Sequence, residues 1–483
     1  MAFLTQAANR GSVATGYDID NSIKFEADNT ESFGPKVFSS DGNRKTFTTS
    51  MWVKRTKLGQ ASSLFGTYPT SGANNNNVFQ FGFTADDKFQ CGLQTYYVVQ
   101  TNRKFRDTAA WYHIVVRVDT TRTATAEKWR LYINGVEETS FAIDARSSIG
   151  TNQDLGANYS STRHYVVAGP AINNWYYSGY MAEIHHVDGQ SLEPTAFGEF
   201  DADSGIWKPK AYFSSHGTNG FYFDIKDASG LADDKSGNSH DFASQGGAPV
   251  DQATDTPTNN FCTMNNNSRT NGNIRTQEGG TQVTADGGSG WVSMNATMGV
   301  QAGKWYWEVR YENTSDANNV MVGIAASDDP YIPNKTGGYY LGNVATTGSH
   351  GWLFKYSTVY NMSGTWSDLS AGDIAMVALD CDNGKLYFGV NGTWKNSSNP
   401  ATNTNGGNYA GYQNAVAQQV QDSFMIPSVS LYQGKRIKFM NFGGHTGNPI
   451  SSAESDANGY GTFEYTPPSG FYSLCTKNLA EFG

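Results

Sequence analysis

Positive charge, cysteine and long apolar runs are all scarce in this 483-residue chain. Charged residues make up 16% of it, against roughly 25% in typical globular proteins, and the net charge is −10. No basic stripe is present that would neutralise a phosphate backbone, so we expect no nucleic-acid partner. No apolar run reaches the roughly 18 residues that a membrane-spanning helix needs, so we expect no membrane insertion.

The four cysteines, Cys91, Cys262, Cys381 and Cys475, lie far apart in the sequence. They form no C-x-x-C pair, which argues against a zinc cluster and against a small disulfide scaffold. Residues 1–18 lack both a charged region and a continuous apolar region, so they do not predict a signal peptide. We expect reduced, buried thiols in a chain that is made in a cytoplasm.

Glycine and aromatic residues are abundant, and side chains alternate between apolar and polar over much of residues 40–190. This alternation marks residues 46–55, 111–119 and 129–135 as half-buried antiparallel strands. The last of these ends at Asn-Gly, which favours a tight hairpin because type I′ turns need a positive φ at both central positions. No convincing apolar stripe has helical spacing. An all-β chain is therefore predicted.

The same kind of pattern returns between about 290 and 445. Residues 304–311 alternate, and residues 373–381 are apolar on both faces, as in a strand central to a sandwich. Asp-Asn-Gly at 382–384 then turns the chain into a second hairpin strand, residues 385–390. Two β-rich blocks with similar hairpins indicate two related sandwiches.

Length and composition divide the chain into four parts. A first sandwich is predicted for residues 1–205 and a second for residues 285–445. Residues 206–284 are rich in Gly, Asn, Asp, Thr and Pro, and they predict an irregular connector that packs against its neighbours. Residues 446–483, with Pro-Pro and several aromatics, predict a C-terminal docking segment.

The first block resembles a laminin-G-like domain of the concanavalin A lectin type. The resemblance rests on FTTSMWVKR (47–55), WYHIVVRVD (111–119), WRLYINGVEE (129–138) and YYSGYMAEIHHVDGQSLEP (176–194), in that order. The second block resembles a SPRY domain, through GKWYWEVRY (303–311), VMVGIA (320–325), GDIAMVALDCDNGKLYFGVNG (372–392) and IPSVSLYQG (426–434). Both families imply jelly-roll-type antiparallel β-sandwiches, here joined by an irregular connector.

Two further segments, DTPTNNFCTMN (255–265) and PPSGFYSLCTKNL (467–479), resemble stretches that flank such domains in bacteriophage virion proteins, tail fibres above all. That resemblance implies a virion protein of the tail or particle surface, made in the host cytoplasm. The domain types would then serve host attachment after release from the cell.

Because glucanases share the concanavalin A fold, the carboxylates of this block are candidate catalytic groups. Glycosidases need two carboxylates at a defined separation, and glucanases of this fold carry them as E-x-D-x-x-E on one strand. Here Glu199 and Asp201 are followed by Ser204 at the third position, and Glu183 has no partner on its strand face. We predict no enzyme and no catalytic residue.

Metal sites are equally weakly indicated. His185 and His186 are adjacent on a predicted strand, so their side chains point to opposite faces and do not share one ion. We predict no metal site and no cofactor. Calcium stays open as an alternative, with oxygen ligands from residues 18–22 and 84–88.

Loop aromatics are the predicted ligand-binding residues, because a sugar ring stacks well on Trp or Tyr. They are Trp175, Tyr176, Tyr177, Tyr339, Tyr340, Tyr360 and Trp366. The last four fall where SPRY domains usually present binding loops. The alternative is that these rings fill space between sheets or between protein subunits.

The sequence therefore favours a non-enzymatic bacteriophage virion protein, a tail fibre or other receptor-binding component that recognises a host surface glycan or protein. One alternative is a purely structural virion subunit, such as a capsid decoration or a fibre anchor, and a less favoured one is a glycan hydrolase. The expected partners are the host surface, other virion proteins and further copies of the chain in a homotrimer.

Overall fold

The computed structural model describes residues 16–167, 174–270, 272–287, 290–311, 320–327, 340–341, 350–353, 358–360, 369–409, 423–432, 434–447 and 449–483. The side chains of residues 350–353, 358–360 and 438 are not described. The chain divides after Thr258 into two compact units. We call residues 16–258 the first unit and the described part of 259–483 the second unit. Nearly all regular structure is strand, so the prediction of an all-β chain is confirmed.

The first unit consists of two large antiparallel sheets and one small hairpin. Its strands are β1 (Ser22–Phe25), β2 (Ser32–Lys36), β3 (Thr46–Arg55), β4 (Ser62–Pro69), β5 (Phe79–Phe83), β6 (Lys88–Gly92), β7 (Tyr97–Lys104), β8 (Trp111–Asp119), β9 (Trp129–Ile133), β10 (Val136–Glu137), β11 (Phe141–Asp144), β12 (Thr162–Val166), β13 (Gly179–Asp188), β14 (Gly198–Phe200), β15 (Trp207–Pro209), β16 (Phe221–Phe223), β17 (Ser244–Gln245) and β18 (Gln252–Ala253).

The two sheets of the first unit enclose its core. The first sheet has the order β10-β9-β8-β3-β13-β1-β18, with β16 also paired to β13, and the second has the order β11-β7-β6-β5-β4-β12-β2-β17. The apolar positions of the alternating segments 46–55, 111–119 and 129–133 point inward, where Met51, Ile114 and Leu131 are at most 1% exposed. The other face of β3 and β8 is buried as well, by side chains such as Thr48, Trp52 and His113, so the prediction that these strands are half-buried is wrong.

The C-terminal part of the first unit returns to its beginning. Strand β18 pairs with β1, β17 pairs with β2, and β16 pairs with β13. Phe221 and Phe223 of β16 are fully buried in the core of this unit. The predicted connector therefore divides between the units, because residues 259–284 supply strands of the second unit.

The second unit also consists of two antiparallel sheets. Its strands are β19 (Met264–Arg269), β20 (Ile274–Gln277), β21 (Gln282–Ala285), β22 (Trp291–Ala296), β23 (Lys304–Tyr311), β24 (Val320–Ala326), β25 (His350–Leu353), β26 (Thr358–Tyr360), β27 (Ile374–Asp380), β28 (Lys385–Val390), β29 (Thr393–Trp394), β30 (Gly407–Asn408), β31 (Met425–Tyr432), β32 (Arg436–Asn441) and β33 (Tyr472–Ser473).

One sheet of the second unit has the order β19-β22-β31-β24-β25-β26 and the other β20-β21-β32-β23-β27-β28-β29, with β30 beside β28 and β33 parallel to β23. Trp305, Trp307, Val309 and Tyr311 share the inner face of β23, as their alternation predicts, and each is at most 1% exposed. The buried Glu308 points the other way and accepts hydrogen bonds from the backbone N–H groups of residues 464 and 465, which ties the C-terminal segment to this sheet.

The helices that the structure describes are short in both units. Helix α1 spans Thr125–Lys128 and α2 spans Thr476–Phe482, and one of several single 3-10 turns spans Pro249–Asp251. Among the helices of the described ranges, none is both long enough and apolar enough to cross a membrane. Cys91, Cys262 and Cys475 are buried free thiols, and Cys381 is a half-buried one.

Candidate functional site

The outer face of the second sheet of the first unit carries glutamine and glycine in an alternating pattern. On β5 and β6 the phenylalanines point into the core, so Gln80 and Gln90 point outward. Across the sheet Gln80 is paired with Gly66 and Gly92, and Gln90 is paired with Gly82 and a third glutamine, Gln100 of β7. Amide side chains here stand between positions that have no side chain, which leaves room beside them.

An open pocket lies on this face. Its lining residues are Ser62, Ser63, Gln80, Phe81, Gly82, Gln90, Gly92, Tyr97 and Trp175. One wall is Trp175, whose carbonyl oxygen accepts a hydrogen bond from the Ser63 N–H at 2.8 Å. This bond fixes the loop that carries the indole against the end of β4. The half-buried Trp175 also packs with Tyr68 against the buried ring of Tyr165.

The polar groups of the pocket differ in how open they are to a ligand, because Gln90 is only 7% exposed. Gln100 Nε2 donates to Gln90 Oε1 at 3.3 Å, which orients the Gln90 amide. Within the described ranges, no side-chain hydrogen bond engages the Gln80 amide, the Tyr97 hydroxyl or the indole N–H of Trp175. The site therefore offers one aromatic face and several donors and acceptors without carrying a charge.

Two glycines keep the pocket in its present shape. A Cβ added at Gly92 would lie 3.1 Å from Cδ1 of Tyr97 and 3.7 Å from Nε2 of Gln80, so it would enter the pocket itself. A Cβ added at Gly82 would lie 2.0 Å from the carbonyl oxygen of Ser62, so the close approach of β4 excludes any side chain there. The floor of the pocket is consequently backbone.

Of the three aromatics predicted on residues 172–179, one lines the pocket. Tyr176 is half-buried and packs against the core of the first unit. Tyr177 is 1% exposed, its ring stacks on Phe83, and its hydroxyl donates to the Lys54 carbonyl oxygen at 2.8 Å. The interpretation of Tyr177 as a ligand-binding residue is therefore corrected, because the chain turns its ring inward.

The predicted residues of the second block are described only in part. The half-buried Tyr340 packs at 5.1 Å from the ring of Trp291, which lies 5.6 Å from that of Tyr432. Next to it, the Leu341 N–H donates to Ser430 Oγ at 3.0 Å. Tyr360 lies in β26 with its side chain not described. Tyr339 and Trp366 lie outside the described residues.

The carboxylates weighed as catalytic groups are engaged in local bonds. Lys208 Nζ lies 3.5 Å from Glu199 and 3.2 Å from Asp201, and hydrogen bonds from the backbone and side chain of Ser204 lower the pKa of Asp201 to about 2. A carboxyl with so low a pKa is a poor general acid near neutral pH. Glu183 accepts from Tyr222 at 2.8 Å and lies 3.3 Å from His185 Nε2.

The histidine and aspartate side chains that are candidate metal ligands contact other side chains of the protein. His186 stacks on Phe65 and Phe221 in the core, whereas His185 lies on the opposite face of β13 and stacks on Tyr222 at 4.2 Å. In the predicted calcium segment 84–88, the Asp87 carboxylate accepts from Arg55 at 3.1 Å and from Arg106 at 3.2 Å. These guanidinium groups take the place that a cation would need.

Comparison with known proteins agrees with the two sandwiches. Residues 21–169 match the family model of the concanavalin A-like lectin/glucanases superfamily, and residues 304–445 match the SPRY domain model. The chain carries a concanavalin A-like domain and a SPRY domain. The prediction of two antiparallel β-sandwiches is thereby confirmed. The glutamine and tryptophan pocket belongs to the unit that contains the concanavalin A-like domain.

Solved structures are also similar to parts of the chain. The SPRY domain of human HERC1 is 18% identical with a TM-score of 0.24, and the match covers 33% of this chain and 87% of that one. A native heptameric SAP-like pentraxin from Limulus polyphemus is 16% identical with a TM-score of 0.26, and the match covers 37% of this chain and 80% of that one. No curated protein matches the chain.

Proposed function

We propose that this chain is a non-enzymatic binding protein whose first unit recognises a carbohydrate in the pocket between Trp175 and Tyr97. The observation that carries the proposal is that the face of one indole and uncharged side-chain amides line the same pocket, whose base is formed by backbone atoms. The match to the concanavalin A-like lectin/glucanases superfamily supports a carbohydrate as the ligand.

The chemistry of a sugar suits these groups. The C–H face of a pyranose is apolar and stacks on an indole, while hydroxyl groups at the ring edge both donate and accept hydrogen bonds. The side-chain amides of Gln80 and Gln90 each contain a hydrogen-bond donor and an acceptor, and the Tyr97 hydroxyl adds a third polar group. Among the described residues that line the pocket none carries a charge, which favours a neutral sugar over an acidic one.

The setting that we propose is a bacteriophage virion, with the chain as a tail fibre or other receptor-binding component. The support is the resemblance of residues 255–265 and 467–479 to segments of such proteins. The host surface glycan would then be the ligand, and a homotrimer is our proposed assembly.

A purely structural virion subunit is the second candidate, and exposed apolar side chains favour it. Phe213 is 94% exposed, Val136 is 55% exposed and Phe200 is 52% exposed. Large apolar groups at a surface are typical of contacts between subunits. In that case the chain would need no sugar ligand.

Titration of the purified chain with bacterial surface polysaccharides, chosen from a glycan array and followed by calorimetry, tests the proposal. Losing the contact of one indole face, roughly 100 Å² of apolar area, costs about 2 kcal/mol, so Trp175→Ala should weaken binding about thirtyfold. Phe200→Ala is the matched control, because it removes an exposed ring outside the pocket, and it should bind as the unmodified chain does.

Two results would count against the carbohydrate function. One is binding that Trp175→Ala and Phe200→Ala weaken equally. The other is a folded, oligomeric wild type that binds no glycan in the array, which would favour the structural subunit instead.

A further inference from the structure

Lys24 of β1 is buried against two carboxylates within the first unit. Its Nζ lies 2.7 Å from Asp251 Oδ1 and 3.0 and 3.2 Å from the two oxygens of Glu31. Lys24 is 1% exposed, Glu31 is 2% exposed and Asp251 is 4% exposed. Three ionisable side chains therefore meet at hydrogen-bond distance without access to bulk water.

The balance of charge at this cluster favours proton transfer. Burial disfavours charged forms, and two carboxylates face one ammonium group here. Burial raises the pKa of the Glu31 carboxyl to about 7, with the negative charge of Asp251 adding to the rise and Lys24 opposing it. A group with a pKa near 7 both accepts and gives protons at neutral pH.

We infer that Lys24 and Asp251 are joined by an autocatalytic isopeptide bond, with Glu31 as the catalytic residue. The reacting nitrogen and the carboxyl group are already in contact, which removes most of the entropic cost of bringing them together. The inference does not depend on the carbohydrate pocket.

The reaction balances without any co-reactant. The Nζ ammonium gives one proton to the Asp251 carboxylate, which leaves a neutral amine beside a carboxylic acid. The nitrogen lone pair adds to Asp251 Cγ and forms the C–N bond, while the C=O pair moves onto oxygen. Glu31 takes the second proton from nitrogen and passes it to the hydroxyl group, the C–O bond breaks, and one water leaves an amide behind.

Backbone groups hold the reacting carboxyl. The Ala248 N–H donates to Asp251 Oδ2 at 2.6 Å across the 3-10 turn. Because Asp251 Oδ1 faces Lys24 and becomes the leaving hydroxyl, Oδ2 is the oxygen that gains negative charge in the tetrahedral intermediate. A donor already placed on that oxygen stabilises the charge as it develops.

The catalytic carboxyl is fixed in a similar way. The Glu26 N–H donates to Glu31 Oε2 at 2.7 Å and Asn29 Nδ2 donates to Glu31 Oε1 at 2.9 Å. These bonds hold both oxygens within reach of Lys24 Nζ. Glu31 therefore has a defined position from which to move protons between nitrogen and oxygen.

The intact mass of the purified full chain decides the inference. We expect a mass 18 Da below that of the sequence, and digestion should release a branched peptide that contains Lys24 and Asp251. A mass equal to that of the sequence, or two linear peptides, would overturn the inference even before any variant is made. This readout does not involve a ligand, so it stands or fails separately from carbohydrate binding.

Variants assign the roles. Asp251→Ala and Lys24→Met should restore the full mass, and Glu31→Gln should leave most of the chain unlinked. Complete linkage in Glu31→Gln would refute the role of Glu31. Lys57→Met is the matched control, because Lys57 and Asp28 form an ion pair at 3.0 Å that is partly exposed, and it should keep the 18 Da deficit.

Discussion

Acid should unfold the first unit, because its core holds histidines that are neutral when folded. Burial lowers the pKa of His113 and His186 to about 3 and that of His164 and His216 to about 4. His186, for example, lies between Thr49 Oγ1 and Asn158 Oδ1 at 2.9 Å from each. In the unfolded chain each imidazole regains a pKa near 6.5 and takes up a proton below it.

The size of the effect follows from linkage. A histidine whose folded pKa is lowered costs stability as pH falls below the unfolded value of about 6.5, at about 1.4 kcal/mol per pH unit. Four such groups give four protons. Glu31 and Asp188 oppose them with about one to two, because their raised pKa values make the folded state keep protons as pH falls. Two to three net protons amount to about 5–8 kcal/mol between pH 6.5 and 4.5, which rivals the whole stability of a typical domain.

Urea unfolding of the full chain at pH 7, 6 and 5 measures this. The fully buried Cys91 lies in the core of the first unit, so its labelling by 4,4′-dithiodipyridine, located by peptide mapping, reports the opening of that unit. We expect the urea midpoint to fall steeply as the pH is lowered from 7 to 5, and to fall less steeply in the His186→Gln variant. The half-buried His240 is the control position for a Gln substitution. Equal midpoints at pH 7 and pH 5 would refute the reasoning.

Three further outcomes are expected from single substitutions. Tyr177→Phe should cost about 1–2 kcal/mol in urea unfolding, since it strips the Lys54 carbonyl oxygen of a buried donor, and it should leave sugar binding unchanged. Gly92→Val should abolish sugar binding in calorimetry with near-normal stability, because its side chain would occupy the pocket. Burial raises the pKa of Glu308 above its ordinary value of 4.5, so stability that is present below pH 4.5 should be lost as pH rises through the raised pKa. Glu308→Gln should flatten that loss, measured through Cys475 labelling from pH 4 upward.

Strands with a long alternating pattern were predictable from the sequence. The segments 111–119 and 304–311 are strands β8 and β23 with those bounds, since an apolar residue at every second position leaves a strong local signal. Strands β17 and β18 leave no such signal, because they contain two residues each and owe their place to pairing with β2 and β1. The boundary between the two units after Thr258 was not predictable either, because it lies in a stretch whose composition is typical of a loop.

The candidate site was predictable only through its tryptophan. Trp175 is an aromatic on a loop, and that signal led to it, yet the same signal also selected Tyr177 two residues later, which is buried. Gln80, Gln90 and Gln100 were not predicted as site residues, because glutamines that alternate with apolar residues are typical of any strand with one face towards solvent. Only the strand pairing brings the three into one row beside glycine.

The return of the C-terminal strands to β1 and β2 has a consequence for how the first unit folds. Ser22 Oγ donates to the Asp255 carbonyl oxygen at 2.6 Å, and Lys54 Nζ reaches the Asp255 carboxylate at 2.7 Å, so contacts between the first and last strands close this sandwich. Such a topology has a high contact order, for which folding is slow. On the ribosome the sheets would lack their last strands until Asp255 has emerged, so nascent chains shorter than this should remain accessible to chaperones and proteases.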